Sequence, residues 1–168
     1  MRYALLDRDG TIIVEKSYLK SINDLELLPR SAEGLRKLAA QGFGLIIITN
    51  QSGIGRGLMS VQDVKAIHAE LLHRLAREGV QIAGIYYCPH TPHQNCECRK
   101  PRTELGHRAA RDHGFNPRES IVIGDKASDI EFGRALGAAR TILVKTGYGK
   151  QFEHTANPDQ VVLDLFAI

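Results

Sequence analysis

The chain has 168 residues, of which 43% are hydrophobic and 24% are charged, and its formal net charge is +3. These values are typical of a soluble globular chain of single-domain size, and no apolar stretch reaches the ~20 residues of a membrane span. Lys and Arg are scattered, which favours an anionic small molecule over a nucleic acid or a membrane as partner. Because the N-terminus has no signal-peptide layout, we expect a cytoplasmic protein with one domain over residues 1–168.

The first predicted element is a short buried strand over residues 3–6, which delivers two carboxylates, Asp7 and Asp9. In an extended segment these side chains point the same way, because strand side chains repeat every second residue. Gly10 allows a sharp turn, and Thr11 adds a hydroxyl. Two adjacent carboxylates raise each other's pKa or bind a cation. The pair alone is equally consistent with two solvated loop residues, so its meaning depends on the rest of the chain.

Residues 12–28 show no clear helix, and we expect them to form a partly polar loop at the edge of the sheet. A helix begins at Ser31, because apolar residues then fall on one helical face. Residues 45–48 are wholly apolar and predict a strand that ends at Thr49 and Asn50. A continuous apolar strand is buried on both faces, which is typical of a parallel sheet.

Residues 53–57 form a glycine loop, after which Ser60 caps a long amphipathic helix. We interpret His68 and His73 as ordinary packing or surface residues of this helix, because helical patterning explains them. A third strand over residues 82–87 follows.

The C-terminal half continues the alternation of strands and helices. Its predicted elements are a helix over 103–114, a strand over 121–123, a helix over 127–136, a strand over 141–144 and a short edge strand or apolar contact at 161–163. This alternation predicts a three-layer, doubly wound α/β fold with a parallel sheet and right-handed crossovers.

Several predicted strands end in polar residues at the same rim of the sheet. These residues are Asp7, Asp9, Thr49, Asn50, Asp125 and Asp129, and Lys100 could join them from the loop after the third strand. Carboxylates are hard oxygen ligands of the kind that Mg²⁺ binds together with phosphate oxygens. A carboxylate can accept a phosphoryl group when a metal and a lysine neutralise charge. The arrangement therefore predicts phosphoryl transfer.

All three cysteines lie within eleven positions of one another, between Cys88 and Cys98. Cys88, Cys96 and Cys98 together with one histidine make a full tetrahedral set for a closed structural Zn²⁺ site. The spacing leaves His90 and His93 as competing fourth ligands. We expect the zinc to hold a loop without a core of its own, so that Lys100 points at the phosphate.

These motifs resemble those of the haloacid-dehalogenase superfamily, in its phosphatase branch. The resemblance is carried by Asp7-Arg8-Asp9-Gly10-Thr11, Thr49, Lys100 and the segment from Gly124 to Asp129. It implies that Asp7 is the nucleophile, that Asp9 is the general acid and base, and that Thr49 and Lys100 bind the phosphoryl group. It also implies Mg²⁺ held by Asp7, the Asp9 carbonyl and Asp125, with Asp129 orienting the lysine or the metal-bound waters.

The cysteine cluster resembles that of a subgroup containing histidinol-phosphate phosphatases and D-glycero-D-manno-heptose 1,7-bisphosphate phosphatases. In this subgroup the histidine of Cys-Pro-His is the zinc ligand, which favours His90, and no large cap domain covers the site. The stretch 49–57 and the stretch 144–149 are most similar to the heptose enzymes. That likeness implies substrate contacts from Glu15, Lys16, Ser17, Tyr18, Asn50, Gln51, Ser52, Arg99 and Lys126.

Two features depart from the heptose group. The loop between His90 and Cys96 is short, as in histidinol-phosphate phosphatases, and the residues after Lys100 lack the usual Pro-Gly turn. On the likeness to the heptose enzymes we still expect a monomeric sugar bisphosphate phosphatase of surface-glycan precursor synthesis. The two departures make histidinol-phosphate phosphatase the alternative. A catalytically silent binding module is disfavoured by the intact Asp7, Asp9 and Lys100.

Overall fold

A computed structural model describes all of residues 1–168 as one parallel sheet of six strands with helices on both faces. The spatial order of the strands is β3-β2-β1-β4-β5-β6, so the first strand lies in the middle of the sheet. The strands are β1 (Arg2–Leu6), β2 (Phe43–Asn50), β3 (Gly84–Cys88), β4 (Ile121–Gly124), β5 (Arg140–Val144) and β6 (Gln160–Val162).

Five α-helices connect the strands. They are α1 (Ser31–Ala40), α2 (Val61–Arg77), α3 (Glu104–His113), α4 (Ala127–Leu136) and the single turn α5 (Gly149–Phe152). Ser60 begins α2 with a reciprocal capping box, in which its side chain and that of Asp63 each accept the other residue's backbone N–H. None of the helices is both long and apolar enough to cross a membrane.

Both faces of the sheet are covered, which confirms the three-layer doubly wound fold. Alternate residues of β1 enter different layers: Leu6 belongs to the larger apolar cluster with α1 and α2, and Leu5 to the smaller one with α3 and α4. The continuous apolar sequence of β1 and β2 follows from this double burial.

The strand order reverses beside β1, and this reversal creates the site. The chain passes from β1 to β2 and β3 on one side, and then from β4 to β6 on the other. Leu6 of β1 pairs with both Ile47 and Ile123, so β1 and β4 end at nearly the same level, and β2 extends three residues further to Asn50. Crevices at such a reversal are where open α/β sheets bind ligands.

The structure differs from the predicted elements mainly at their ends. The third strand begins at Gly84 rather than at residue 82, and residues 22–24 of the expected loop form a short 3-10 helix. The C-terminal stretch forms a short strand, β6, at the edge of the sheet. Helical periodicity and apolar runs identify an element better than they define its first residue.

Gly34 should be required for the docking of α1 against the C-terminus. A Cβ at this position would lie 2.5 Å from the backbone carbon of Leu165 and 2.7 Å from the backbone nitrogen of Phe166. We expect Gly34→Ala to lower the free energy of unfolding by about 1–2 kcal/mol in urea titrations, because overpacking outweighs the gain in helix propensity. Glu33→Ala, an exposed change in the same helix, should be nearly neutral. A Gly34→Ala variant as stable as the parent would contradict this packing argument.

Candidate active site

A polar cavity of about 300 Å³ lies at the carboxyl ends of β1, β2 and β4. All four predicted catalytic residues line it, namely Asp7, Asp9, Thr49 and Lys100. Most of the residues predicted to contact substrate also line it, namely Glu15, Ser17, Tyr18, Asn50, Gln51, Ser52, Arg99 and Lys126. Lys16 does not line the cavity, and its amine instead pairs with Glu26 at 3.3 Å.

Lys100 forms the central ion cluster of the cavity. Its Nζ lies 2.7 Å from Asp7 Oδ1 and 2.8 Å from Asp129 Oδ1, and it donates to the backbone oxygen of Ile48 at 2.6 Å. Burial disfavours the charged lysine, but the carboxylates of Asp129 and Asp7 outweigh this effect and raise its pKa. Lys100 is therefore a fixed cation next to Asp7.

Asp7, Asp125 and Asp129 offer carboxylate oxygens that all lie within 4.8 Å of one another. Burial, partly offset by Lys100, raises the pKa of Asp7 to about 6. Burial and repulsion from Asp7 raise the pKa of Asp125 to about 8. A bound divalent cation would remove this strain, since it pairs with several carboxylates at once.

The backbone around Asp125 fixes its carboxylate among those of Asp7 and Asp129. Its Oδ2 accepts the backbone N–H of Tyr148 at 2.8 Å, whereas its buried Oδ1 has no hydrogen-bond partner. Gly10 (φ +82°) and Gly147 (φ +55°) lie against the carboxylate, and a Cβ at either would overlap it. A buried carboxylate oxygen without a hydrogen-bond partner is typical of a metal ligand. The donor set therefore fits Mg²⁺.

Asp9 is held by Arg8, which was not predicted as a site residue, and by Gln51, which was predicted as a substrate contact. The Arg8 guanidinium pairs with both of its oxygens, Nε to Oδ2 at 2.9 Å and Nη2 to Oδ1 at 3.0 Å. The Gln51 amide donates to Asp9 Oδ2 at 3.0 Å and to Thr49 Oγ1 at 2.8 Å. Gln51, predicted as a substrate contact, thus also connects two predicted catalytic residues.

The predicted zinc ligands come together in the loop after β3. Cys88, Cys96, Cys98 and His90 form one group of potential ligand atoms, and His93 is outside it. The Cys88 sulfur lies 3.1 Å from that of Cys98 and 3.5 Å from that of Cys96, and His90 Nδ1 lies 3.2 Å from the Cys98 sulfur. Three sulfurs and one imidazole nitrogen this close together fit a closed tetrahedral Zn²⁺ site.

Positive charge also lies at the outer part of the cavity. The Lys126 amine is 3.4 Å from Glu15 and 5.0 Å from the centre of the Tyr148 ring. Burial opposes the charge of Lys126, but the carboxylates, Asp7 first, raise its pKa. Arg99 donates to the backbone oxygen of His90 at 3.3 Å, which ties it to the cysteine cluster.

Four further residues line the cavity that were not predicted as substrate contacts: Gly53, Ser128, Asp129 and Tyr148. Asp129 was expected only to orient the lysine or metal-bound waters, and its ion pair with Lys100 agrees with the first of these roles. Tyr148 lies in the stretch 144–149 that resembles the heptose enzymes, but its sequence does not predict that it lines the cavity. Its place there depends on how the chain turns after β5. Ser128 could have been found, since it is the second residue of α4 and lies three positions after Asp125.

The geometry defines a class, that of hydrolases with a doubly wound sheet and an acidic, lysine-containing phosphoryl-transfer site. A family model described as HAD-hydrolase-like matches residues 97–167. D-glycero-beta-D-manno-heptose-1,7-bisphosphate 7-phosphatase of Pasteurella multocida is 37% identical over 84% of this chain and 80% of its own. D-glycero-alpha-D-manno-heptose-1,7-bisphosphate 7-phosphatase of Photorhabdus laumondii is 38% identical over 88% of this chain and 85% of its own.

The solved structures agree with the sequence relatives. D,D-heptose 1,7-bisphosphate phosphatase from B. bronchiseptica, crystallised with magnesium and phosphate, superimposes with a TM-score of 0.91 at 30% identity. The match covers 99% of this chain and 95% of that one. The chain belongs to the HAD-like hydrolase family, which confirms the resemblance identified from its motifs.

The raised pKa of Asp125 predicts how metal and pH act on stability. A raised carboxyl pKa means that the folded protein keeps a proton that the unfolded chain releases, so metal-free stability should fall as pH rises from 3.8 towards about 8. We expect Mg²⁺ at pH 8 to raise the melting temperature of the parent protein, because the cation takes over the role of the proton.

Asp125→Asn should melt higher than the parent at pH 8 without metal and should lose the response to Mg²⁺, as measured by differential scanning fluorimetry. Glu131→Gln removes a carboxylate from an exposed position of the same α4 and serves as the control. An Asp125→Asn variant that keeps the full Mg²⁺ response would contradict the placement of the metal.

Proposed function

We propose that this protein is a Mg²⁺-dependent phosphatase that removes the 7-phosphate of D-glycero-D-manno-heptose 1,7-bisphosphate. Relatives named for this activity cover most of the chain, and both the alpha and the beta anomer appear in their names. The observation that carries the proposal is the buried contact of Lys100 with Asp7 beside Asp125, at the carboxyl ends of the central strands. The product would enter nucleotide-heptose and surface-glycan precursor synthesis in the cytoplasm.

Asp7 would be the nucleophile. Its Oδ1 is held by Lys100 at 2.7 Å, which leaves Oδ2 to attack the phosphorus and form an aspartyl-phosphate. Lys100 and the Thr49 hydroxyl would bind the phosphoryl oxygens, and Asp129 keeps Lys100 in place. Positioning and charge neutralisation account for most of the catalysis in such a reaction.

Mg²⁺ would be held by Asp7, the Asp9 carbonyl oxygen and Asp125. When bound, it supplies charge neutralisation of the phosphoryl oxygens and of the carboxylates around them. Asp9 would protonate the leaving sugar oxygen and later take a proton from the water that hydrolyses the aspartyl-phosphate. The buried, partner-free Oδ1 of Asp125 supports this ligand set.

The outer cavity suits a sugar that carries a second phosphate. Arg99 and Lys126 are the cations available there, and the planar guanidinium of Arg99 can bind an anion through two donors. Glu15, Ser17, Asn50 and other polar lining groups can hydrogen-bond sugar hydroxyls. Lys16 does not line the cavity, and it would have to leave its ion pair with Glu26 to share this role.

Zn²⁺ would be bound by Cys88, His90, Cys96 and Cys98 as a structural ion. The four ligand atoms face one another next to Lys100, which supports the idea that zinc fixes the lysine loop. We also propose that residues 1–168 act as a monomeric single domain, because one chain supplies all the residues of the cavity.

Histidinol phosphate is the second candidate substrate. The short loop between His90 and Cys96, which contains only a 3-10 turn at Pro92–Gln94, favours it. Arg99 and Lys126, the cations available for a second phosphate, favour the heptose bisphosphate instead, because histidinol phosphate has only one phosphate. A direct comparison of substrates separates the two.

The substrate proposal predicts a marked preference in steady-state kinetics. We expect kcat/KM for one anomer of the heptose 1,7-bisphosphate to exceed that for histidinol phosphate at least about 100-fold, which corresponds to roughly 2.7 kcal/mol from contacts with the second phosphate. Asp7→Asn should lose all turnover and all aspartyl-phosphate, whereas Asp24→Asn, an exposed change, should keep both. Equal or better turnover of histidinol phosphate would reject the heptose assignment.

The zinc proposal predicts which histidine matters. His90→Ala should lose bound zinc, measured by plasma mass spectrometry, and should lose activity because the Lys100 loop is released. His93→Ala, an exposed change three residues away, should retain one zinc per chain and parental activity. Loss of zinc from His93→Ala with retention in His90→Ala would reverse the ligand assignment.

A further inference from the structure

Arg8 is a fully buried cation that the reaction described above leaves without a role. Its side chain is 1% exposed, although in the sequence Arg8 lies between the proposed nucleophile, Asp7, and the proposed general acid, Asp9. The guanidinium contacts Asp9 through Nε and Nη2, and Nη2 also donates to Gln51 Oε1 at 2.9 Å. A buried charge is costly unless it is paired and hydrogen-bonded, so the third guanidinium nitrogen, Nη1, also needs a partner.

His68 of α2 supplies that remaining contact. Its Nε2 lies 3.0 Å from Arg8 Nη1, and the residue is 8% exposed. Burial and the neighbouring Arg8 charge lower the pKa of His68 to about 4, so the neutral ring accepts the hydrogen bond through Nε2. The ring also packs edge-on against Tyr87 at 5.5 Å between centroids. His68 is a packing residue, as expected, and also an acceptor that fixes Arg8.

The contacts of Asp9 are unequal between its two oxygens. Oδ2 accepts hydrogen bonds from Arg8 and Gln51, at 2.9 and 3.0 Å. Oδ1 accepts only one, from Arg8 at 3.0 Å. Because a carboxylate oxygen has two lone-pair sites, Oδ2 is fully used and Oδ1 keeps one site free. Asp9 lines the cavity, so this free site is the one that can exchange a proton there.

We propose that Arg8, supported by His68 and Gln51, is a positioning residue that holds Asp9 so that Oδ1 carries the proton of the reaction. The inference rests on the proposed function. In the first step, Asp7 bonds to phosphorus as the bond from phosphorus to the leaving oxygen breaks, and the proton on Asp9 Oδ1 moves to that oxygen. In the second, water attacks the aspartyl-phosphate, its proton moves to Asp9 Oδ1, and the bond from phosphorus to Asp7 breaks.

The dependence on the leaving group distinguishes positioning from a merely structural role. An alkoxide is a poor leaving group and needs the proton from Asp9, whereas 2,4-dinitrophenolate leaves without one. The value of kcat/KM reports the first step for both substrates. Misplacement of Asp9 should therefore slow alkyl phosphates far more than 2,4-dinitrophenyl phosphate, whereas general damage to the fold should slow both equally.

The experiment compares His68→Leu, His68→Gln and the exposed control His73→Leu on the full chain with Mg²⁺. For His68→Leu we expect kcat/KM to fall about 10- to 100-fold with heptose 1,7-bisphosphate and less than about 3-fold with 2,4-dinitrophenyl phosphate, a part of the general-acid contribution. His68→Gln retains an acceptor for Arg8 and should recover most of the loss, and His73→Leu should match the parent.

Arg8→Lys is the second variant in case His68→Leu does not fold, because lysine keeps the charge but cannot contact both oxygens of Asp9. It should show the same selective loss with the alkyl phosphate. An equal loss with both substrates, or no loss with either, would overturn the positioning role. Parental turnover of 2,4-dinitrophenyl phosphate that disappears in Asp7→Asn tests the phosphatase function separately, so the two failures are distinguishable.

Discussion

The buried ion cluster of Lys100 with Asp7 and Asp129 is the interaction on which the site depends. The three side chains come from the end of β1, the loop after β3 and α4, and each is nearly inaccessible to water. Burying charges is unfavourable unless all partners are in place, so the cluster tolerates little displacement of any of its three sources. The rest of the fold serves to bring these sources together. The level ends of β1 and β4 place Asp7 and Asp129, which leaves Lys100 as the part that needs separate support.

That support comes from contacts between the lysine loop and β2. The Asn50 side chain accepts the backbone N–H of Lys100 at 3.0 Å and donates to its carbonyl at 3.2 Å. The backbone N–H of Gln51 donates to the backbone oxygen of Cys88 at 2.7 Å. The backbone N–H of Gly55 donates to the backbone oxygen of Pro89 at 2.9 Å. The glycine loop, the cysteine cluster and the lysine are therefore one connected unit. A loop with so little apolar core of its own gains order from such polar and metal-ligand contacts.

Most of this arrangement could be predicted because its signals are local in the sequence. Asp7 and Asp9 flank one residue at a strand end, and the proposed zinc ligands lie within eleven positions. The partners of Arg8 could not be predicted, because His68 lies 60 positions away on a helix whose pattern explains it fully. Lys16, which was predicted as a substrate contact, does not line the cavity, and its amine pairs with Glu26.

The charges around the cavity explain why a site proposed to bind a phosphate is rich in carboxylates, which are ligands for a cation. Five carboxylates, those of Asp7, Asp9, Glu15, Asp125 and Asp129, face four nearby cations, those of Arg8, Arg99, Lys100 and Lys126. Each nitrogen of the Arg8 guanidinium has a side-chain partner in Asp9, Gln51 or His68, so Arg8 is not free to bind a substrate. A phosphate dianion entering this cavity would meet net repulsion from the carboxylates. A divalent cation held by Asp7 and Asp125 would reverse that balance, which makes metal binding and phosphate binding one requirement rather than two.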